Sequence, residues 1–136
     1  MKTYKKILLG AVLTLSLSTL VSLEAAFAQL PGIKRIDLQK HNIEAPGYET
    51  IQARIDFEID AAVGMHSHPG EEVIYVLGGI LEYQIDGQKP VVLKAGEVLF
   101  IPAGINHSAK NVGKVKAAEL ATYIVKKDKP LLVFKD

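Results

Sequence analysis

His66-Ser67-His68-Pro69-Gly70-Glu71-Glu72 is the stretch whose reading organises the rest of the chain. In an extended strand, residues i and i+2 point to the same face, roughly 6.5 to 7 Å apart, so His66 and His68 can converge on one ion. Pro69-Gly70 then turns the chain. A carboxylate just past that turn, on the adjoining strand, can close in from the side. A second stretch, Gly96-x5-Pro102-Ala103-Gly104-x2-His107-x3-Asn111, carries a Pro-x-Gly turn leading into a strand that begins near His107. The chain has four histidines, and three of them fall in these two stretches. A lone strand histidine is more often a half-buried polar residue than a ligand, and a His-x-His pair alone says little more. The added acid and third histidine make metal binding the stronger reading. Three neutral nitrogens and one carboxylate oxygen suit Mn, Fe, Co, Ni, Cu or Zn, and leave positions open on an ion that prefers five or six ligands.

Around these stretches nearly everything reads as short strands between turns. Residues 49–59 alternate, with Ile51, Ala53, Ile55 and Phe57 on one face and Gln52, Arg54, Asp56 and Glu58 on the other. Residues 73–77 are apolar and largely β-branched. Leu81, Tyr83 and Ile85 alternate with Glu82, Gln84 and Asp86, and Asp86-Gly87 ends that run. Residues 91–93, 98–101, 117–125 and 131–134 continue the pattern. No segment after residue 28 has an apolar stripe of helical period. Many short strands with Gly and Pro between them predict an all-β sandwich or barrel in a single domain. Residues 29–48, punctuated by Pro31-Gly32 and Ala45-Pro46-Gly47, read as a loop-like N-terminal arm, with the barrel over 49–136.

The first 28 residues read as a secretory signal peptide. Lys2, Lys5 and Lys6 form a basic start, residues 7–21 an apolar run, and Ala26-Phe27-Ala28 a small-x-small cleavage site before Gln29. A membrane anchor needs about 20 apolar residues, and Glu24 interrupts too soon. The leader holds three of the 16 basic and one of the 15 acidic residues, so the remainder carries 13 against 14. No basic surplus favours nucleic acid or anionic lipid as partner. Cysteine is absent, which excludes disulfides, a thiolate site and a lipid-modified cysteine anchor. A periplasmic or secreted bacterial protein follows, with no stable membrane anchor after cleavage. The leader has no twin arginine, which implies export of an unfolded chain. The ion is then acquired outside the cytoplasm, where the affinity order favours Cu and Zn over Mn and Fe.

The two histidine stretches resemble the paired motifs of the cupin superfamily. The pattern G-x5-H-x-H-x3,4-E-x6-G is matched by His66, His68, Glu72 and Gly79, with Asp60 standing where the leading glycine is expected and Gly64 nearby. The pattern G-x5-P-x-G-x2-H-x3-N is matched at Gly96, Pro102, Gly104, His107 and Asn111. Five fixed positions agree by chance well below about once in a million starts. The resemblance implies a double-stranded β-helix, a jelly-roll barrel with a metal inside one mouth. It also implies that His66, His68, Glu72 and His107 are the ligands of one divalent transition metal (Mn, Fe, Cu, Zn or Ni). Glu71, the competing carboxylate, points to the opposite strand face if Glu72 points in.

Four further residues stand out. Glu119, in an apolar strand, is either on a wet face or buried with a partner; it is the candidate general acid or base beside the metal. An Arg54–Glu119 pair is one reading, two unrelated surface charges the other. Tyr75 and Tyr123 are candidate pocket residues, although strand tyrosines usually pack. His41 reads as a surface residue. Three functional classes fit the resemblance: a dioxygenase-like oxidoreductase, a lyase or isomerase using the metal as Lewis acid, and a non-catalytic small-molecule or metal-binding module. Fold alone does not choose among them. The short spacer 80–95 leaves little chain for a lid, which suits a small or aromatic substrate. Cupins commonly pair through sheet edges, so a homodimer is a further expectation.

Overall fold

A computed structural model describes residues 30–135; the signal-peptide reading of residues 1–28 lies outside them. Ten strands follow one another: β1 (Ile33–Asn42), β2 (Tyr48–Phe57), β3 (Ala62–Ser67), β4 (Gly70–Gly78), β5 (Ile80–Ile85), β6 (Val91–Lys94), β7 (Val98–Ile101), β8 (His107–Asn111), β9 (Ala117–Lys126) and β10 (Val133–Phe134). They form two five-stranded sheets, ordered β1-β2-β9-β4-β7 and β10-β3-β8-β5-β6. Every pairing is antiparallel. The architecture is all-β, as the strand pattern predicts, and the jelly roll that the resemblance implies; the described residues contain no helix long and apolar enough to cross a membrane.

The alternation seen in the sequence builds the core directly. Ala53, Ile55 and Phe57 of β2 face inward against Ile74 and Val76 of β4, and Leu81, Tyr83 and Ile85 of β5 meet them from the other sheet. Burying side chains of this size contributes about 1.5–3 kcal/mol each.

One stretch departs from expectation. Residues 33–42 are a ten-residue strand, not a loop, paired along β2 from Ile33↔Phe57 to Asn42↔Glu49. The register shifts between Asp37 and Gln39, leaving Leu38 as a bulge. A bulge exchanges the faces of the residues that follow it, so the period-two signal is erased in the sequence although the strand is continuous.

Two irregular positions fix the strands that carry the histidines. Asp60, at the expected glycine, has φ +61°. It is a left-handed position that Asp tolerates better than most side chains, so the turn survives the substitution. Gly70 opens β4 pressed against β9: a Cβ there would lie 2.0 Å from the Ile124 carbonyl oxygen. Only glycine permits that approach, and it sets where Glu72, two residues on, enters the interior.

Asn111 closes the far end of β8. Fully buried, its side-chain amide donates to the carbonyls of Glu58 (3.0 Å) and Val115 (2.8 Å), and its Oδ1 accepts from Gly113 N–H (2.9 Å). This motif residue is a staple between turns and lies away from the histidines.

Candidate metal centre

β3 delivers His66, the turn after it His68, β4 delivers Glu72, and the first residue of β8 is His107. In the β3–β8 ladder His66 stands directly opposite His107, while Glu72 comes across the barrel from the other sheet. All four side chains are buried. The three histidines each present one ring nitrogen within 4.8 Å of the others, and their ring centroids lie 4.3 to 5.2 Å apart. Glu72 Oε2 is 2.9 Å from His107 Nε2 and 3.3 Å from His68 Nε2.

The protons can be placed from the outer side of each ring. Nδ1 of His66 faces the Gly64 carbonyl at 2.7 Å, that of His68 the Leu131 carbonyl at 2.6 Å, and that of His107 the Ile105 carbonyl at 3.1 Å. A carbonyl accepts only, so neutral rings carry their proton on Nδ1 and turn bare Nε2 lone pairs inward. His68 Nε2 and Glu72 Oε2 are buried without a hydrogen bond of proper geometry. Four acceptors directed at one point, with no donor among them, match the donor set of a divalent cation.

Electrostatics agree. Burial, and then the neighbouring His107, push the His66 ring down to about 4 from its ordinary 6.5, so it is neutral at pH 7. Burial would raise the Glu72 carboxyl, whereas positive charge or a proton at the inward nitrogens of His107 and His68, the place a cation takes, lowers it below the usual range.

Glu119 is brought into the interior. It stands opposite Ile55 and Val76 and accepts a short hydrogen bond from the Tyr83 hydroxyl. Burial, then the Glu72 carboxylate, raise it to about 8. It is therefore largely protonated at neutral pH. Burial holds Tyr83 protonated, and Glu119 reinforces it once its own proton is lost. Glu119, Tyr83 and Tyr123 share with His66, Glu72 and His107 an interior cavity of about 20 Å³, room for one water. Tyr123 packs against His68 with ring centroids 4.8 Å apart.

Arg54 and Tyr75 go elsewhere. Arg54 lies on the outer face of β2, bonded to Asp56 at 2.7 Å. No Arg54–Glu119 pair forms, because Glu119 shares the inward parity of Ile55, one residue on from Arg54. Tyr75 is an outward residue of β4, half exposed. Glu71 also faces away from the interior, as strand alternation requires. His41 is exposed on β1.

Arg35, the other arginine, went unremarked in the sequence. Its side chain is buried, its Cζ lies 5.7 Å from the centroid of Tyr123, and its guanidinium meets Asp37 at 2.7 Å. It stands opposite Ile55 of β2, before the bulge, and shares that residue's inward direction.

A depression of about 700 Å³ lies on the outer face beside Lys34, Arg54, Asp56, Glu58 and Lys116. Four of its five charges are paired, Arg54 with Asp56 and Glu58 with Lys116, and none of the candidate ligands lines it. A second depression, of about 430 Å³, opens beside His68, bounded by Pro69, Gly104, Lys126 and Lys129.

Comparison with known proteins agrees with this geometry. The chain is 38% identical over 74 residues to an oxalate-binding protein of Thermotoga maritima, covering 54% of this chain and 60% of that one. It is 40% identical over 76 residues to germin-like protein 1 of Brassica napus, covering 52% and 37%. The chain thus spans between roughly two fifths and three fifths of the length of these curated relatives. An oxalate oxidase structure superposes with a TM-score of 0.63 at 29% identity, over 79% of this chain and 57% of that one. The family profile described as a cupin domain matches residues 53–124, more than half of the chain, and this protein belongs to the cupin family.

Proposed function

We propose that this chain is an exported, metal-dependent oxidoreductase in which His66, His68, Glu72 and His107 hold one divalent transition ion and the substrate is a small carboxylate such as oxalate. The observation that carries the reading is the inward convergence of three Nε2 lone pairs and the Glu72 carboxylate, with every Nδ1 already committed to a carbonyl. When bound, the ion supplies Lewis acidity and, if redox-active, an electron path. The chain's own residues orient it and control access. The depression beside His68 is the route of approach, and Lys126 and Lys129 outweigh Glu71 on its rim, leaving a net positive charge that attracts an anion. At the inner end, the Tyr83–Glu119 pair holds protons within the cavity that the ligands share, so Glu119 is the group placed to give one up.

The relatives named for oxalate support the substrate class. Two-electron oxidation of oxalate releases two molecules of CO₂, and dioxygen accepts the two electrons with two protons as hydrogen peroxide. The test combines elemental analysis of protein purified from its native compartment with oxygen uptake on oxalate by Mn-, Fe- and Cu-loaded samples. Oxygen consumption and peroxide at matched stoichiometry support the reading. Formate without oxygen uptake identifies a lyase instead. Binding of oxalate without turnover identifies the non-catalytic module that the Thermotoga relative's name suggests. A chain without stoichiometric metal overturns the proposal. Mass spectrometry of the exported protein checks the leader, with Gln29 expected as first residue.

A further inference from the structure

On the reading that Glu72 ligates the ion, we infer that Arg35 is a positioning residue of the metal centre, acting on Glu72 through the ring and hydroxyl of Tyr123. Arginine is rarely buried without compensation. The Arg35 side chain is 4% exposed, whereas that of its partner Asp37 is 57% exposed. The ion pair therefore keeps its anion in solvent and its cation inside the barrel. Arg35 belongs to the edge strand β1 and Tyr123 to β9, with β2 between them. Neighbouring strands lie about 4.8 Å apart, so the arginine reaches across β2 to bring Cζ within 5.7 Å of the Tyr123 ring centroid. A cation over an aromatic face at that range is attracted by it.

The ring that Arg35 meets touches two of the four candidate ligands. Tyr123 packs edge-on against His68, with centroids 4.8 Å apart, which confines the ring from a second side. It also stands directly opposite Glu72 in the β4–β9 ladder, and side chains so placed share one face with Cβ atoms about 4.5–5.5 Å apart. Burial, the Glu72 charge and a hydrogen bond to that carboxylate all keep the Tyr123 hydroxyl protonated. Glu72 Oε2 approaches His68 and His107 and lacks a hydrogen bond of proper geometry, which leaves the other oxygen to the phenol. One carboxylate oxygen is thus free for the ion, and the other is held by a tyrosine that Arg35 and His68 confine.

Charge and position act with opposite signs here. Removing a positive charge near a divalent cation would by itself tighten binding. Freeing the Tyr123 ring would weaken it, because groups that orient a ligand typically govern 10–100-fold of metal affinity. Position prevails, since Asp37 at 2.7 Å already offsets much of the arginine's long-range field. Without the arginine, Asp37 is exposed enough to be solvated, so the fold should survive.

The test uses Co(II) alone as the probe: its visible bands report ligand geometry, and competition with a chelating indicator reports affinity. Arg35→Met, uncharged and of similar length, is expected to weaken Co(II) binding about 10-fold and to shift the bands. Tyr123→Phe keeps the ring, loses the hydroxyl, and should do the same. Because the two side chains act in series, the double variant should stay within about twofold of Tyr123→Phe. Arg54→Met, on the outer face of β2, is the matched control and should change neither readout. Arg35→Gln, which can still bond Asp37, replaces Arg35→Met if that variant does not fold. Tighter or unchanged binding in the Arg35 variant, or losses that multiply in full in the double variant, would overturn the inference. A wild type that binds no Co(II) would overturn the metal-centre reading itself, and this role of Arg35 with it.

Discussion

Nδ1 of His68 lies 2.6 Å from the carbonyl oxygen of Leu131, 63 residues further along the chain. The hydrogen bond orients the ring and fixes which nitrogen carries its proton. It also ties the candidate metal centre to the C-terminal segment, where Leu131 is buried in the core and Phe134 approaches His66 with ring centroids 6.1 Å apart. The segment is short, but it acts on two of the three imidazoles.

Deleting residues 131–136 is therefore expected to weaken metal binding about 10–100-fold, the usual effect of losing a ligand's outer hydrogen bond. Competition titration with a chelating indicator measures it. An unchanged affinity would show that His68 orients itself without the carbonyl.

Removing a ligand should act more severely. His66→Ala and His107→Ala are each expected to lose stoichiometric metal in elemental analysis, and Glu72→Gln to weaken it while keeping the fold. Glu71→Gln, on the outward face, is the matched control and should retain full metal content.

The metal-free protein should lose stability at both ends of the pH scale. His66 binds its proton near 6.5 when unfolded but only near 4 when folded. The unfolded state thus holds more protons between those values, and stability falls as the pH drops through that window. The difference amounts to at most about 3 kcal/mol. Glu119 works in the opposite sense. Its folded value is raised to about 8 from the ordinary 4.5, so its contribution is present below 4.5 and is lost as the pH rises toward 8. Glu119→Gln keeps an acceptor for Tyr83 and should flatten the alkaline side of a melting-temperature profile while leaving the acid side unchanged.

Gly70→Ala should destabilise by about 1–3 kcal/mol through overpacking, because the new methyl group meets the Ile124 carbonyl. Since β4 must shift to admit it, Glu72 moves as well. Urea unfolding together with metal stoichiometry should show both losses, whereas Gly47→Ala, with open space around it, should leave metal stoichiometry intact.

Much of the fold was legible without coordinates. Residues whose neighbours alternate strictly, such as Ile51 to Phe57 and Leu81 to Ile85, declare their faces because a strand has a period of two. The two motifs marked His66, His68, Glu72 and His107 through their resemblance to the family pattern, since the local turns alone leave Glu71 and Glu72 both open. Strand β1 was not legible, since one bulged residue breaks its period of two, and the inward direction of Arg35 is set by its pairing opposite Ile55 of β2.

By itself, the sequence determined the all-β class and the positions of the turns, because these follow from chain-local geometry, while the set His66, His68, Glu72 and His107 came from the resemblance of its two motifs to a known family. The tertiary structure alone decided which distant groups face them: Leu131 behind His68, Tyr83 against Glu119, Tyr123 beneath Arg35, and Arg54 turned away. Those relationships depend on which strands pair across the sheets and in what register, and no stretch of residues contains that information locally.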